Sequence, residues 1–332
     1  MRKDKKSLNV LVTGGAGYIG SATTAGLIEK GHTVTVLDDL SSGHLQAVHP
    51  EAHFVKGDIS DRNVIESICR DGIDVAMHFA AFIEVEESAA DPSKYYGNNL
   101  AKTLHFFDNL RASGVHNIVF SSTAAVYGEP ECIPLTESAP LRPVNPYGWT
   151  KMMVEQSLRD YDQAYGFKSV SLRYFNAAGA FGPYGEDHRP ESHLIPRILS
   201  AASEGTSLQV YGIDYDTQDG SCIRDFVHVK DLADAHILAA QYLHTGGSSD
   251  CFNLGTGKGF SVLEVIRSAE KVVGRRIDYR ITQRRKGDSA VLVASSEKAE
   301  RILGWKKQVS TLEEIIESAW GWKQENLRGY RE

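Results

Sequence analysis

Short runs of apolar residues alternate with longer helix-like stretches along the first half of the chain. The runs are rich in Val, Ile, Leu and Phe, which is typical of strands buried on both faces. We predict strands at Asn9–Thr13, Thr33–Asp38, His53–Lys56, Val75–Phe79, Asn117–Ser121 and Ser169–Tyr174. We predict helices between them at Gly17–Lys30, Arg62–Arg70 and Tyr95–Ser113. This alternation predicts an α/β fold with a Rossmann-type doubly wound parallel sheet.

The pattern changes after Phe175, where glycines, a proline and polar loops interrupt shorter elements. Here we predict helices at Leu194–Ser203, Asp231–Leu243, Ser261–Val273, Ser295–Leu303 and Thr311–Glu325, and a strand at Asp250–Leu254. The simplest division is a sheet domain over residues 1–176 and a smaller C-terminal α+β domain over residues 177–332. The boundary is interleaved if a later segment returns to pair with the sheet.

Composition narrows the class of protein. At 332 residues the chain exceeds one core, and its 42% hydrophobic and 24% charged residues are ordinary for a globular protein. The formal net charge of −7 argues against nucleic acid or an anionic membrane as a partner. The basic start, Met1–Lys6, is followed at once by a strand pattern, unlike a signal peptide. No apolar run approaches the roughly 20 residues of a membrane span.

The cysteines are widely spaced and form no metal-binding pattern. They are Cys69, Cys132, Cys222 and Cys251. We predict free thiols in a reducing compartment, a cytoplasmic location and no metal site.

A glycine triplet stands between the first strand and the first helix. Gly14, Gly17 and Gly20 have the spacing GxxGxxG and not the commoner GxGxxG. Glycines permit a tight turn and a close backbone approach to a pyrophosphate, which the helix N-terminus then attracts. The motif is weak alone, but both flanking elements are the required ones. We therefore predict a dinucleotide site here.

Carboxylates follow the second and third strands. Asp38 ends the second strand, where a carboxylate accepts hydrogen bonds from the adenosine ribose and repels a 2′-phosphate, which favours NAD over NADP. The alternative is that Asp38 and Asp39 only begin a polar loop. Asp58 follows the third strand, where it could meet the adenine amino group or cap the next helix.

Tyr147 and Lys151 are the candidate catalytic pair. Asn145 and Pro146 suit the start of a helix, and four-residue spacing puts Tyr147 and Lys151 on one face of it. A lysine ammonium beside a phenol stabilises the phenolate, so Tyr147 can act as a general base and, in reverse, as an acid. Thr123, at the end of the Asn117–Ser121 strand, is the best-placed hydroxyl for relaying the proton. Its alternative role is to terminate the strand.

Together these motifs resemble the extended short-chain dehydrogenase/reductase family, and within it the UDP-glucose (UDP-galactose) 4-epimerases. The resemblance spans nearly the whole chain. It includes Leu37–Leu40, His78–Ala81, Tyr95–Asn99, Leu172–Asn176, Arg224–Val229, Asn253–Gly255 and Arg284–Asp288.

The resemblance implies two sets of binding residues. For NAD these are Gly14, Gly17, Tyr18, Ile19, Gly20, Asp38, Asp39, Leu40, Ser41, Ser42, Gly43, Asp58, Ile59, Phe79, Ala80, Ala81, Asn98, Tyr147, Lys151 and Phe175. For a UDP-sugar they are Thr123, Tyr147, Asn176, His193, Leu194, Gln209, Val210, Tyr211, Arg224, Arg285 and Asp288. Arginines are forked, permanently charged donors suited to a diphosphate.

The implied reaction passes through a 4-keto sugar. Tyr147 takes the proton of the 4-hydroxyl while C4 gives hydride to tightly bound NAD, and the sugar turns before the hydride returns. The family's dimers imply a homodimer. Dehydratases of this scaffold carry an Asp-Glu pair after the active-site Thr, and here Ala124 and Ala125 stand there, which argues against elimination. A UDP-uronate or UDP-N-acetyl sugar, and a non-catalytic NAD-binding regulator, stay open.

Four positions depart from the pattern of some epimerases. Ile83 and Glu86 replace a lysine and a glycine, His193 stands where asparagine is frequent, and Leu292 stands at a gate that is tyrosine or a small residue elsewhere. A side chain of leucine size favours plain glucose and galactose over N-acetyl sugars.

Overall fold

A computed structural model describes residues 7–285, 288–309 and 311–330. The basic Met1–Lys6 segment and the Lys286–Gly287 part of the Arg284–Asp288 motif lie outside the described residues. The strands are β1 (Asn9–Thr13), β2 (Thr33–Asp38), β3 (His53–Lys56), β4 (Val75–His78), β5 (Asn117–Thr123), β6 (Lys168–Tyr174), β7 (Asn176–Ala178), β8 (Leu208–Tyr211), β9 (Ile223–His228), β10 (Asp250–Leu254), β11 (Gly259–Ser261), β12 (Tyr279–Thr282) and β13 (Val291–Leu292).

The predicted helices are present to within a few residues, except at Tyr95–Ser113 as described below, and the helix at Val85–Ala90 was not predicted. The helices are α1 (Tyr18–Glu29), α2 (Arg62–Cys69), α3 (Val85–Ala90), α4 (Pro92–Tyr95), α5 (Thr103–Ala112), α6 (Pro146–Tyr165), α7 (Leu194–Glu204), α8 (Val229–His244), α9 (Val262–Val273), α10 (Glu297–Leu303) and α11 (Leu312–Glu325). No described helix combines the length and the apolar character needed to cross a membrane.

Seven strands form the central sheet in the order β10-β6-β5-β4-β1-β2-β3. The β1–β2, β1–β4, β2–β3 and β4–β5 pairs are parallel. Successive strands are added to one side of β1 up to β3 and to the other side from β4 onward, so the strand order reverses between β1 and β4. In sheets of this kind, ligands bind in the crevice at the carboxyl ends of the strands at this point. The predicted Rossmann-type sheet is therefore present, and its inner strands β1, β4 and β5 are buried on both faces as the apolar runs indicated.

Two compact units each contain three separate segments of the chain. The first comprises the chain up to Ser122, Asn145–Leu172 and Ala233–Cys251. The second comprises Thr123–Val144, Arg173–Leu232 and the chain from Phe252 onward. The functional division into residues 1–176 and 177–332 stays a prediction.

Each unit has its own apolar core. In the first, Leu11, Phe106, Ile118 and Phe167 belong to one buried cluster with α2, α5 and α6 around it. In the second, residues of α7, α9 and α11 pack with Val210 of β8 and Phe226 of β9. The four cysteines are free thiols, as predicted.

The single helix predicted at Tyr95–Ser113 is wrong in detail. The chain there forms α4, then a π-helical stretch at Tyr96–Lys102, then α5. The buried side chain of Asn99 explains the wider turns, because its Oδ1 accepts from the Phe82 amide at 2.9 Å and its Nδ2 donates to the Phe82 carbonyl at 2.8 Å. Such π-helical turns are frequent at functional sites.

Candidate active site

The glycine turn between β1 and α1 is built for close approach of backbone. Gly14 has φ +72°, and a Cβ there would lie 2.6 Å from the Ala80 amide nitrogen. A Cβ on Gly20 would lie 2.2 Å from the Gly14 carbonyl oxygen. Gly17 is the N-cap of α1 and has no side chain that could cap the first amides, which is the arrangement that suits an anion at a helix N-terminus. The local geometry is the one that the dinucleotide motif requires.

Asp38 meets the glycine turn from the end of β2. Its carboxylate accepts from the Ala16 amide at 3.0 Å and from the Leu40 amide at 2.9 Å. Burial raises the pKa of Asp38, while these backbone hydrogen bonds act to lower it. Leu40 adopts φ +61°, and Gly43 lies so close to Ala16 that a Cβ there would sit 2.9 Å away. The segment 38–43 therefore folds back onto the glycine turn. Asp38 binds the backbone of that turn and so does more than begin a polar loop.

Asp58 does not cap the helix that follows it. Asp61 is the N-cap of α2 and accepts from the Asn63 amide at 2.9 Å. Asp58 instead accepts from Ser60 and forms an ion pair with Lys102, the last residue of the π-helical stretch. Burial would raise the pKa of Asp58, but the hydrogen bonds from Lys102 and Ser60 outweigh it and lower the pKa. The capping alternative is wrong, and the adenine contact stays a prediction.

Phe79, Ala80 and Ala81 continue from β4 beside the glycine turn. The Phe79 amide donates to the Thr13 carbonyl at 3.0 Å, and the Phe79 ring packs on His236 at 4.6 Å between centroids. Asn98 donates to Asn99 Oδ1 at 3.1 Å, so the π-helical stretch sets its side chain. Of the residues predicted to bind NAD, Phe79 is thus held by a backbone hydrogen bond and Asn98 by Asn99.

Tyr147 and Lys151 share one face of α6, as the spacing predicted. Asn145 caps this helix by accepting from the Gly148 amide at 2.8 Å, and Pro146 is its first residue. Lys151 is 3% exposed, and its Nζ lies 5.9 Å from the centroid of the Tyr147 ring. This is the order of separation at which an ammonium acts on a phenol through its charge.

Lys151 is held by groups of β5 that the sequence motifs did not indicate. Its Nζ donates to the Ser121 carbonyl at 2.8 Å and lies 4.9 Å from the Phe120 ring centroid. Burial lowers the pKa of Lys151 to about 7, and the nearby Glu155 opposes that shift. Glu155 accepts from the Ser122 hydroxyl at 2.5 Å. An acid four residues after Lys151 on the same helix was the available signal for this partner.

Thr123 and Phe175 stand at strand ends in the second unit. Thr123 is 9% exposed, and its Oγ1 accepts from the Ala125 amide at 3.1 Å, which leaves its hydroxyl proton to be donated elsewhere. The Phe175 amide donates to the Leu254 carbonyl at 3.3 Å. Asn176 begins β7 and donates through Nδ2 to the Asp225 carbonyl at 2.9 Å. Thr123 therefore both ends its strand and keeps a donor for a ligand.

The two predicted diphosphate-binding arginines lie in different settings. Arg224 donates to the carbonyls of Ile223 and Ser289 at 2.9 Å each and lies 3.5 Å from Asp288 Oδ1. Arg285 stacks on the Tyr211 ring, with its guanidinium carbon 4.0 Å from the centroid. The structure therefore brings Arg224 to Asp288, and Arg285 to Tyr211.

The β8 strand completes that side. Tyr211 donates to Gln209 Oε1 at 2.9 Å, and the hydrogen bond from Arg285 lowers the pKa of Tyr211. Val210, between them, is buried in the core of the second unit. Gln209 and Tyr211 therefore face one side of β8 and Val210 faces the other.

His193 lies beside two glutamates. It is the N-cap of α7, which begins at Leu194, and its Nδ1 lies 2.9 Å from Glu186 Oε1 and 2.8 Å from Glu191 Oε1. Burial lowers the pKa of His193, but the two glutamates raise it well above its usual value. Its Nδ1 is thus engaged by carboxylates within its own unit.

The glycine turn, Asp38 and the Tyr-x-x-x-Lys helix define the class of dinucleotide-dependent enzymes that act through a tyrosine acid/base. A family model described as the NAD dependent epimerase/dehydratase family matches residues 10–255. The chain belongs to this family.

Three relatives are close along nearly their whole length. The UDP-glucose 4-epimerase of Lacticaseibacillus casei is 48% identical over 327 residues, which is 97% of this chain and 99% of that protein. The crystal structure of UDP-glucose 4-epimerase from Brucella ovis in complex with NAD has a TM-score of 0.92 and 44% identity, covering 95% of this chain and 98% of that one. The enzyme from Bifidobacterium longum, solved with NAD+ and UDP, has a TM-score of 0.91 and 38% identity, covering 97% and 100%.

These findings confirm the predicted family, fold class and cofactor NAD. The assignments of single residues to NAD and to a UDP-sugar stay predictions.

Proposed function

We propose that the protein catalyses the reversible 4-epimerisation of UDP-glucose and UDP-galactose. The observation that carries the proposal is the placement of Tyr147 and buried Lys151 on one face of α6, with Lys151 held by the Ser121 carbonyl at the end of β5. The relatives' activity, UDP-glucose 4-epimerase, supports the same reaction. Ala124 and Ala125 carry no group for the elimination that related dehydratases perform.

Tyr147 acts as the acid and base of the reaction. It takes the proton of the sugar 4-hydroxyl, aided by the charge of Lys151, and returns it to the 4-keto group at the end of the cycle. Thr123 donates its hydroxyl proton to the reacting oxygen and relays the transfer. NAD, when bound, supplies the hydride acceptor and then the hydride donor at C4. The cofactor is regenerated, so it stays bound between turnovers.

This cycle requires tight binding of the UDP part and weak binding of the sugar, which must rotate in the site. Arg224 and Arg285 hold the diphosphate, and Asn176, His193, Leu194, Gln209–Tyr211 and Asp288 contact the rest of the substrate. Binding energy from the UDP part then holds a sugar that must turn. Leu292, half-buried in β13, favours plain sugars over N-acetyl sugars. A homodimer and a cytoplasmic location belong to the same proposal.

The test follows UDP-glucose formed from UDP-galactose without added NAD. Wild type is expected to convert it, and Tyr147→Phe is expected to lose most turnover while retaining NAD. Tyr165→Phe is the matched control, because Tyr165 lies on the same helix and is 51% exposed. Wild-type protein that holds NAD but converts nothing would contradict the proposal. A panel with UDP-N-acetylglucosamine and UDP-glucuronate separates the alternative sugars, and a non-catalytic regulator would leave all three unchanged.

A further inference from the structure

Two histidines and two glutamates converge in the loop before α7. Glu186, His188, Glu191 and His193 each place one potential ligand atom within 4.8 Å of the others. His193 Nδ1 lies 2.9 Å from Glu186 Oε1 and 2.8 Å from Glu191 Oε1, and His188 Nδ1 lies 3.5 Å from Glu186 Oε1. The rings of His188 and His193 are 5.3 Å apart between centroids. All four residues belong to the second unit.

These separations match the donor shell of a small divalent cation. Imidazole nitrogens and carboxylate oxygens bind zinc at about 2.0–2.2 Å, so neighbouring donors around a tetrahedral ion lie ~3.4 Å apart. Distances of 2.8, 2.9 and 3.5 Å are close to that value. Small shifts of side chains are enough to replace the proton between His193 and the glutamates with a metal ion.

Two of the donor atoms lie in a largely buried setting. The Glu186 side chain is only 6% exposed. His188 Nδ1 is buried, and within the described ranges its contact with Glu186 Oε1 at 3.5 Å is too long for a good hydrogen bond. A metal ion would bind this nitrogen at a shorter distance.

A cavity of about 120 Å³ adjoins the cluster. Glu186, His188 and Glu191 line this cavity, and so does Trp322 of α11. It has room for ordered water, which could complete the coordination shell.

We propose that Glu186, His188, Glu191 and His193 form a binding site for a divalent transition metal of the zinc class. Two imidazoles and two carboxylates are the donor set that zinc accepts. The ion pins the loop to the start of α7. Asp187, between two of the ligands, accepts from the Tyr330 amide at 2.9 Å, so the same loop also holds the last described residues. The metal ion would fix the position of this loop and would take no part in the proposed epimerisation.

Protein treated with chelator and dialysed is titrated with ZnCl₂ against a chromophoric competitor. Wild type is expected to bind one zinc ion per chain and to gain thermal stability. Glu186→Gln with His188→Ala is expected to weaken zinc binding by at least ~100-fold, because two ligands are lost. His105→Ala is the matched control, since His105 is exposed and belongs to the other unit. Cobalt binding gives a second readout through the visible absorption of a four-coordinate site.

Zinc uptake by wild type that is no greater than uptake by the double variant would overturn the proposal. Should the double variant misfold, Glu191→Gln gives the same comparison with one ligand changed. NAD content and circular dichroism check that each variant is folded. Because epimerase activity is measured separately, failure here leaves the proposed function intact.

Discussion

The Lys151 ammonium donates to the Ser121 carbonyl oxygen across 2.8 Å, with Lys151 buried to 3% exposure. The first part of α6 is thus fixed to β5. The arrangement buries an amine, and keeping a buried amine charged lowers the stability of the fold.

Replacing Lys151 separates its effect on stability from its effect on turnover. Burial lowers the pKa of Lys151 to about 7, so keeping it charged at neutral pH opposes folding. We expect Lys151→Met to lose more than ~100-fold in turnover and to raise the free energy of unfolding of the cofactor-free protein by roughly 1–3 kcal/mol. Urea denaturation and the coupled epimerase assay measure the two. A variant that is both inactive and less stable would show that the hydrogen bond to Ser121 outweighs the burial of charge.

Gly14 tests the phosphate turn. Gly14→Ala would place a Cβ 2.6 Å from the Ala80 nitrogen at φ +72°. We expect a loss of at least ~10-fold in NAD affinity, because the turn must shift, besides the ~1–2 kcal/mol that positive φ costs any L-residue. Gly31→Ala is the control, since Gly31 has φ +80° but no atom within 4 Å of the added Cβ. Equal NAD loss in both variants would mean that backbone strain alone is responsible.

His78 should make the fold sensitive to acid. It lies between Thr13 Oγ1 at 2.7 Å and Thr103 Oγ1 at 2.9 Å, and burial, with a smaller effect of the Lys151 charge, lowers its pKa to about 3. Above about pH 6.5 both folded and unfolded chains carry it neutral, so it adds no pH dependence. Below that pH only the unfolded chain takes the proton, so stability falls by up to ~1.4 kcal/mol per pH unit until about pH 3.

Urea denaturation between pH 4 and 7 measures this slope. His78→Gln is expected to flatten it and to lower stability at pH 7, because one buried hydrogen bond is lost. His53→Gln, at an exposed position of β3, is the comparison variant. An unchanged slope in His78→Gln would assign the acid sensitivity to other groups.

Arg224 tests the grip on the diphosphate. Its guanidinium is held by the carbonyls of Ile223 and Ser289, with 13% of its side chain exposed. We expect Arg224→Lys to raise KM for UDP-galactose by ~10-fold or more, with a smaller change in kcat, because lysine cannot form two parallel hydrogen bonds. Arg267→Lys is the control, as Arg267 pairs with Asp219 on an exposed face. A change confined to kcat would place Arg224 at the reacting sugar.

The central sheet and α6 could be predicted because the residues within each element are enough to indicate it. Buried parallel strands leave continuous apolar runs, and Asn145 and Pro146 mark the start of α6 whatever lies around it. The π-helical stretch could not be predicted this way. It depends on Asn99 bonding to Phe82, a contact across 17 residues that periodicity does not record.

Two site residues show the same limit. Asp58 and Asp61 both precede α2, and only the ion pair with Lys102, 44 residues away, separates their roles. His193 was predicted to bind a UDP-sugar, and nothing in the sequence motifs indicated that Glu186 and Glu191 contact it. Their proximity depends on how the loop before α7 folds back on itself. Long-range contacts of this kind decide what a titratable side chain can do.

The threading of each compact unit through three separate segments affects how the chain is made. In the first unit, α1 packs at Gly26 against Ala233 and Ile237 of α8. The central sheet ends at β10, which borders β6. A nascent chain that has emerged only to residue 176 therefore lacks a covering helix and an outer strand for its nucleotide-binding sheet. The ribosome must release the residues from Ala233 through Leu254 before that sheet gains α8 and β10, so the sheet is completed only after more than two thirds of the chain has been made.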